Sequence, residues 1–312
     1  MESANLYINK CKSYIDFMIS QQQWSGISKA EVSNWLRNFD SLPIEELMLV
    51  YKLLTNIVYF SEADVIDALR QGVHKCLCYD VVLEKQRESG FALSQQALSN
   101  IQKDELNKAC FVPLLSSGAP HESGNYVSRV LVQQGIIHSS QSMFAGRLPA
   151  AFKSSEIKHL VIVDDCVGSG DQLRGFWENT HVLDEGTLLS LKQLCEKYGV
   201  EANYLTLFGY RESLLELGHD LSGLKIHCVR ILNESLRVFS ENSYIWKDDQ
   251  ERLSAYTLFS NITKDAGIPL YGYKGFDFAF IMHKTIPDWS LPLFWKESTD
   301  WSLLMRRKNS NE

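Results

Sequence analysis

The chain has 312 residues, 45% hydrophobic and 11% aromatic, enough to fill one or two sizeable cores and too many for a disordered segment. With 31 basic against 38 acidic residues the formal net charge is −7, so no global field attracts nucleic acid, and the run Arg306, Arg307, Lys308 is too short to supply one. No stretch approaches the roughly 18 apolar residues of a membrane-spanning helix, and the opening residues lack the apolar core of a secretory signal, so no membrane partner and a cytoplasmic location are expected.

Residues 1–104 carry helical spacing. Tyr14, Ile15, Met18 and Ile19 recur on one face, and Ser28 followed by Glu31 is a capping box opening a helix with Val32, Trp35, Leu36 and Phe39. Pro43 starts another helix carrying Leu47, Val50, Tyr51, Leu54 and Ile57, and a further one follows Ser61 with Val65, Ile66 and Leu69. Short helices in this order could form a DNA-reading helix-turn-helix, but without clustered Lys and Arg the pattern favours a plain bundle. Cys11, Cys76, Cys78, Cys110, Cys166, Cys195 and Cys228 show no repeated pairs of zinc or disulfide spacing, and His74, Cys76 and Cys78 lack a second pair to complete a metal site. Residues 84–105 are polar and read as a solvated helix or connector.

Near residue 105 the pattern changes to strands alternating with helices, which implies a parallel sheet with right-handed crossovers. The expected division is a helical N-terminal segment over 1–104 and an α/β domain over 105–312 that includes an aromatic-rich C-terminal region. Residues 109–115 read as a strand, followed by a small-residue loop with Ser116, Ser117 and Gly118 and a helix from Ser123. Residues 138–157 have little periodicity, and Arg147 and Lys153 are the cations available there.

The apolar, β-branched run at 160–163 predicts a central strand. Its switch at Asp164 and Asp165 to polar and Gly-containing residues marks the strand's carboxyl end, the edge of an open α/β sheet where ligands bind. Gly168 and Gly170 let the backbone approach a phosphate, Ser169 adds a hydroxyl donor, and a helix beginning after Gly170 aims free N–H groups at an anion. The same residues also suit an ordinary strand-to-helix turn capped by acids. Helices at 187–198 and 212–217 and strands at 203–208 and 225–232 follow. Toward the C-terminus Tyr271, Tyr273, Phe276, Phe278 and Phe280 precede a loop framed by Pro287 and Pro292 that bears Trp289 and Trp295. This loop suits a stacking or partner surface or, as large aromatics more often do, a core.

Residues 159–172, HLVIVDDCVGSGDQ, resemble the signature of type I phosphoribosyltransferases, which hold phosphoribosyl pyrophosphate (PRPP) with an aliphatic strand, two acids and a small-residue loop. The resemblance implies an α/β, parallel-sheet phosphoribosyltransferase-like domain that binds PRPP or a related nucleotide. It implies that Asp164 and Asp165 form the catalytic pair, take the ribose hydroxyls and hold Mg²⁺. It further implies that Val167, Gly168, Ser169, Gly170, Asp171 and Gln172 cradle the 5′-phosphate, that Ser116, Ser117 and Gly118 bind pyrophosphate with Arg129 nearby, and that residues 138–157 form a flap closing over PRPP. Cys166, Gly168 and Gln172 depart from the family pattern, and Gln172 stands where a closing Thr or Ser hydroxyl is usual. Binding is therefore better supported than turnover, and a catalytically inactive nucleotide sensor or partner-docking subunit is the alternative. Together with Trp35, Leu36 and Phe39 before it and the Pro-framed tail over 286–295, the Asp-Asp loop resembles the phosphoribosyltransferase-like proteins of bacterial conflict systems. Those are encoded in antiphage defence loci, some beside retron reverse transcriptases. That likeness implies an effector or accessory subunit with a protein partner such as a reverse transcriptase complex.

Overall fold

The computed structural model describes residues 2–115, 123–154, 156–283 and 285–307. The chain forms two compact units, residues 1–65 with 233–312, and residues 66–232. The division therefore falls elsewhere than residue 105. The first unit draws on both ends of the chain, and the α/β unit takes in the later part of the expected helical segment.

The first unit begins with α1 (Glu2–Ser20), α2 (Lys29–Leu36), α3 (Ile44–Thr55) and β1 (Val58–Phe60). α2 opens on the capping box: Glu31 N donates to Ser28 Oγ at 3.2 Å, and Ser28 N donates to the Glu31 carboxylate at 2.6 Å. α3 follows Pro43 with Glu45 and Glu46 in its first turn, where acids face the positive end of the helix dipole.

The chain then runs through α4 (Glu62–Val73), within which the unit boundary falls, α5 (Tyr79–Glu88), α6 (Gln95–Asn107), β2 (Ala109–Pro113), α7 (Ser123–Gln133), α8 (Leu148–Ser154), β3 (His159–Val167), α9 (Asp171–Asn179), β4 (His181–Asp184), β5 (Thr187–Ser190), α10 (Leu191–Tyr198), β6 (Glu201–Tyr210), α11 (Arg211–Asp220) and β7 (Leu224–Leu232). The main sheet is parallel in the order β2-β3-β6-β7, as the alternation of strands and helices implied. Inner strands β3 and β6 are buried along nearly their whole length, which is why their sequences read as continuous apolar runs. Leu160, Ile162, Leu173, Trp177, Tyr204 and Leu217 meet in the core on one side.

Three local features differ from the sequence expectation. β3 continues through the two acids to Val167, because β6 goes on pairing with it (Asp164 with Thr206, Cys166 with Phe208, Val167 with Gly209) after β2 has ended at Pro113 opposite Val163. The expected helix at 187–198 starts only at Leu191. Before it, β4 and β5 form an antiparallel hairpin whose two turn residues, Glu185 (φ 51°) and Gly186 (φ 82°), take the left-handed backbone a two-residue hairpin needs. The region read as a flap contains two short 3₁₀ turns, Ser139–Gln141 and Ala145–Arg147, and α8. Its Met143 amide donates to Phe111 O at 3.0 Å and Ser142 bridges Phe111, so it covers the outer edge of β2.

α4 and α5 are joined by a π-helical turn, His74–Cys78. His74 Nε2 lies 3.0 Å from Gln102 Nε2, and Cys78 Sγ donates to Gln102 O at 3.7 Å, so these two side chains fasten α6. Among the described residues no three His, Cys, Asp or Glu side chains gather as metal ligands.

The first unit is completed by α12 (Asp249–Asp265) and β8 (Phe280–Met282), which pairs in parallel with β1. Trp35 is fully buried, 4.8 Å edge-on from Phe39 and 5.7 Å from Phe294, and its indole donates to Leu293 O at 2.9 Å. The two aromatic patterns at opposite ends of the sequence are thus halves of one core. Trp289 is buried and stacks on Phe280 at 5.0 Å, and Trp295 is half-buried, so the Pro-framed loop serves packing.

Candidate functional site

Asp164 and Asp165 lie in the part of β3 that outruns β2 and are 3% and 6% exposed. Ser123, the first residue of α7, donates its hydroxyl to Asp164 Oδ1 at 2.8 Å, and Tyr204 on β6 donates to Asp164 Oδ2 at 3.3 Å. The Asp165 amide also donates to Asp164 Oδ1 (2.9 Å), and the Cys166 amide to Asp165 Oδ1 (2.7 Å). α7 can approach this closely because residue 124 is glycine: a Cβ there would fall on the Leu114 carbonyl oxygen and 2.7 Å from Leu114 N.

Burial first, and then the charge of Asp165, push the Asp164 carboxyl well above the usual carboxylate range; burial likewise raises Asp165, while the Ser123 hydroxyl counteracts both. Tyr204 is raised by the same burial and by Asp164. Among the described residues no Lys, Arg or His forms an ion pair with either acid. Two adjacent desolvated carboxylates without a cation invite either a proton or a metal ion. The donor set fits Mg²⁺, a hard cation that commonly takes one or two carboxylates and completes its shell with substrate oxygens and water.

Val167 ends β3, buried; Gly168 is buried and Ser169 partly exposed. Gly170 (φ 79°, ψ 2°) caps α9; the Asp171 amide donates to Ser169 Oγ at 3.4 Å, and the amides after it in the first turn point toward the loop, as at any helix start. Asp171 and Gln172, the first residues of α9, are exposed. The structure thus brings Asp164 and Asp165 and the 167–172 loop into one strand-to-helix turn, while Ser116, Ser117 and Gly118 lie outside the described residues.

In a comparison with known families, the PRTase-CE family model matches residues 32–307. The chain belongs to the PRTase-CE family. It therefore carries a phosphoribosyltransferase-like domain, and the match reaches across both compact units. No curated protein and no solved structure matches the chain.

Within this family member the loop has its own internal partners. Ser169 Oγ donates to the Asp171 carboxylate at 3.0 Å. Arg174 donates to Ser169 O at 2.9 Å and to Asp220 at 3.1 Å, with Glu216 at 3.7 Å and Asp171 at 3.9 Å. Lys153 is likewise held, by Asp184 at 2.7 Å and Glu185 at 3.2 Å. Sequence reasoning missed Ser123, Tyr204 and Gly124. The serine is visible as a helix opener after a loop, but its contact with Asp164 spans 41 positions and leaves no local signal.

Proposed function

We propose that the α/β unit binds PRPP or a related 5′-phosphorylated ribose at the strand-to-helix turn, with Mg²⁺ held by Asp164 and Asp165. The observation that carries this is the buried, uncompensated acid pair placed directly before a glycine-capped helix N-terminus. The acids would accept hydrogen bonds from the ribose hydroxyls, and the amides from Gly168 to Gln172 would receive the 5′-phosphate. When bound, Mg²⁺ would supply positive charge to the pyrophosphate oxygens. Ser123 and Tyr204 act as positioning residues that fix the Asp164 carboxylate.

Binding without turnover is the form of this reading that the loop favours. Ser169 Oγ is engaged by Asp171, and Arg174 by three carboxylates, so the charge stabilisation a leaving pyrophosphate needs is not on hand from these groups. A nucleotide-sensing effector or accessory subunit of an antiphage system, partnered by a protein such as a reverse transcriptase complex, is the biological role we propose, on the family likeness of the whole chain.

Calorimetric titration of PRPP with and without Mg²⁺, into wild type and Asp165→Asn, tests the site. Mg²⁺-dependent binding lost in the variant is expected; unchanged affinity in a folded variant refutes the assignment. Release of pyrophosphate on incubation with PRPP and nucleobases would overturn the non-catalytic form.

A further inference from the structure

Beside β2 the α/β unit has an open cleft of about 460 Å³ that shares no residue with the Asp164 turn. One wall is a single stripe of α7, with Arg129, Val132 and Gln133, whose opposite stripe (Val127, Val130 and Leu131) is buried. The other wall is the chain around Met143, Phe144 and Arg147. The walls are tied together by a hydroxyl-to-hydroxyl bond of 2.6 Å between Ser128 and Ser142, and the Met143 amide anchors the second wall to β2. The cleft is therefore built by the fold rather than left by a loose loop.

Its electrostatics are unlike the rest of the chain. Arg129 and Arg147 both line it, and among the described residues no Asp or Glu does. Arg129 lies over the Tyr126 ring, at 5.8 Å to the centroid, and neither guanidinium forms an ion pair with a described residue. In a chain with seven more acids than bases, two like charges kept in one acid-free cleft are poorly explained by folding and well explained by an anionic ligand. Planar guanidinium groups match phosphate oxygens two at a time. Phe144, 60% exposed, adds an aromatic face beside Val132 and Met143, more apolar surface than a bare phosphate would use. The volume falls within the roughly 300–1,000 Å³ of small-ligand sites.

We propose that this cleft is a second ligand site, which takes a 5′-mononucleotide with its phosphate on Arg129 and Arg147 and its base against Phe144. It needs no metal and does not depend on the acid pair. The test titrates the full chain with AMP, and separately with inorganic phosphate, in the presence of EDTA. AMP is expected to bind wild type more tightly than phosphate does. Arg129→Gln and Arg147→Gln should each weaken AMP about ten- to hundredfold. Phe144→Ala should weaken AMP about fivefold or more while leaving phosphate unchanged. The part of AMP binding that Arg129→Gln and Arg147→Gln remove should persist in Asp165→Asn, since Asp165 does not line this cleft, which separates it from the PRPP turn. All three lining side chains are exposed, so the melting temperature should hold; where it does not, Arg147→Lys, which keeps the charge and loses the fork, should still weaken binding. The proposal is overturned by AMP affinity that follows Asp165 instead of the arginines, or by AMP binding no tighter than phosphate. A 5′-phosphorylated oligonucleotide binding far more tightly than AMP through the same arginines would also overturn it, in favour of a polynucleotide.

Discussion

Replacing Gly170 by alanine should destabilise the α/β unit through two separable effects. The residue sits at φ 79° and ψ 2°, a left-handed conformation that costs a residue with a Cβ about 1–2 kcal/mol. The added methyl would also lie 2.8 Å from Leu217 Cδ1 and Cδ2 and 2.9 Å from Cγ, and Leu217 is fully buried in the core on that face of the sheet. Overpacking of this kind costs about 1–3 kcal/mol, so Gly170→Ala should lose roughly 2–5 kcal/mol, or about 4–20 °C in melting temperature for a unit of this size. Gly170→Asn separates the parts, because Asn tolerates the left-handed backbone but keeps the clash. Leu217→Ala alone should cost about 2–5 kcal/mol through the cavity it leaves. The Gly170→Ala/Leu217→Ala double variant should then be more stable than the sum predicts, by about 1–3 kcal/mol, since the methyl occupies vacated space. Thermal unfolding by circular dichroism of the four variants reads all of this. Strict additivity would refute the clash, and a Gly170→Ala protein melting with wild type would refute the backbone argument as well.

Asp164→Asn should raise the melting temperature at neutral pH. A carboxyl raised by burial contributes stability that is complete below its ordinary pKa and is lost as pH climbs through the raised native value, so the variant's advantage should grow from about pH 4 upward; an advantage that shrinks with pH would reverse the sign of the argument. Gly124→Ala should cost more than about 3 kcal/mol because the methyl meets backbone that cannot yield, whereas Gly175→Ala in α9, whose nearest neighbour is Asn179 Nδ2 at 4.0 Å, should gain about 0.5–1 kcal/mol; equal melting shifts would refute the close approach of α7 to Leu114. Asp171→Asn removes a negative charge from the loop and loosens its hold on Ser169 Oγ, and Gln172→Thr supplies the hydroxyl of the family pattern. Each should tighten ribose 5-phosphate about two- to tenfold by calorimetry, and weaker binding by both would show that these side chains contribute to the ligand site instead of obstructing it.

The parts of this molecule written in short windows of sequence were the legible ones. The Ser28–Glu31 capping box lies within a single turn, and the apolar run before Asp164 reflects burial on both faces of β3, which any central parallel strand imposes. The strand's true end was hidden because pairing with β6, not residue type, carries β3 through two acids to Val167. The unit boundaries were hidden for a similar reason: Trp35 and Leu293, 258 positions apart, share a hydrogen bond in one core, and no composition shift near residue 105 could announce that. The same limit applies within the site. Asp164 is visible as an acid, but its burial beside Asp165 and its hydrogen bonds from Ser123 and Tyr204, reached across 41 and 40 positions, leave no local signal. The loop's departures from the family pattern gain meaning only with those distances. Gln172 by itself reads as a lost hydroxyl, yet Asp171 on Ser169, with Arg174 drawn toward Asp220, shows that the turn's hydroxyl and guanidinium donors already have partners. A phosphate arriving there must displace a carboxylate already in place. Selectivity at this turn would then come from ligands carrying enough negative charge, or enough bound Mg²⁺, to win that exchange.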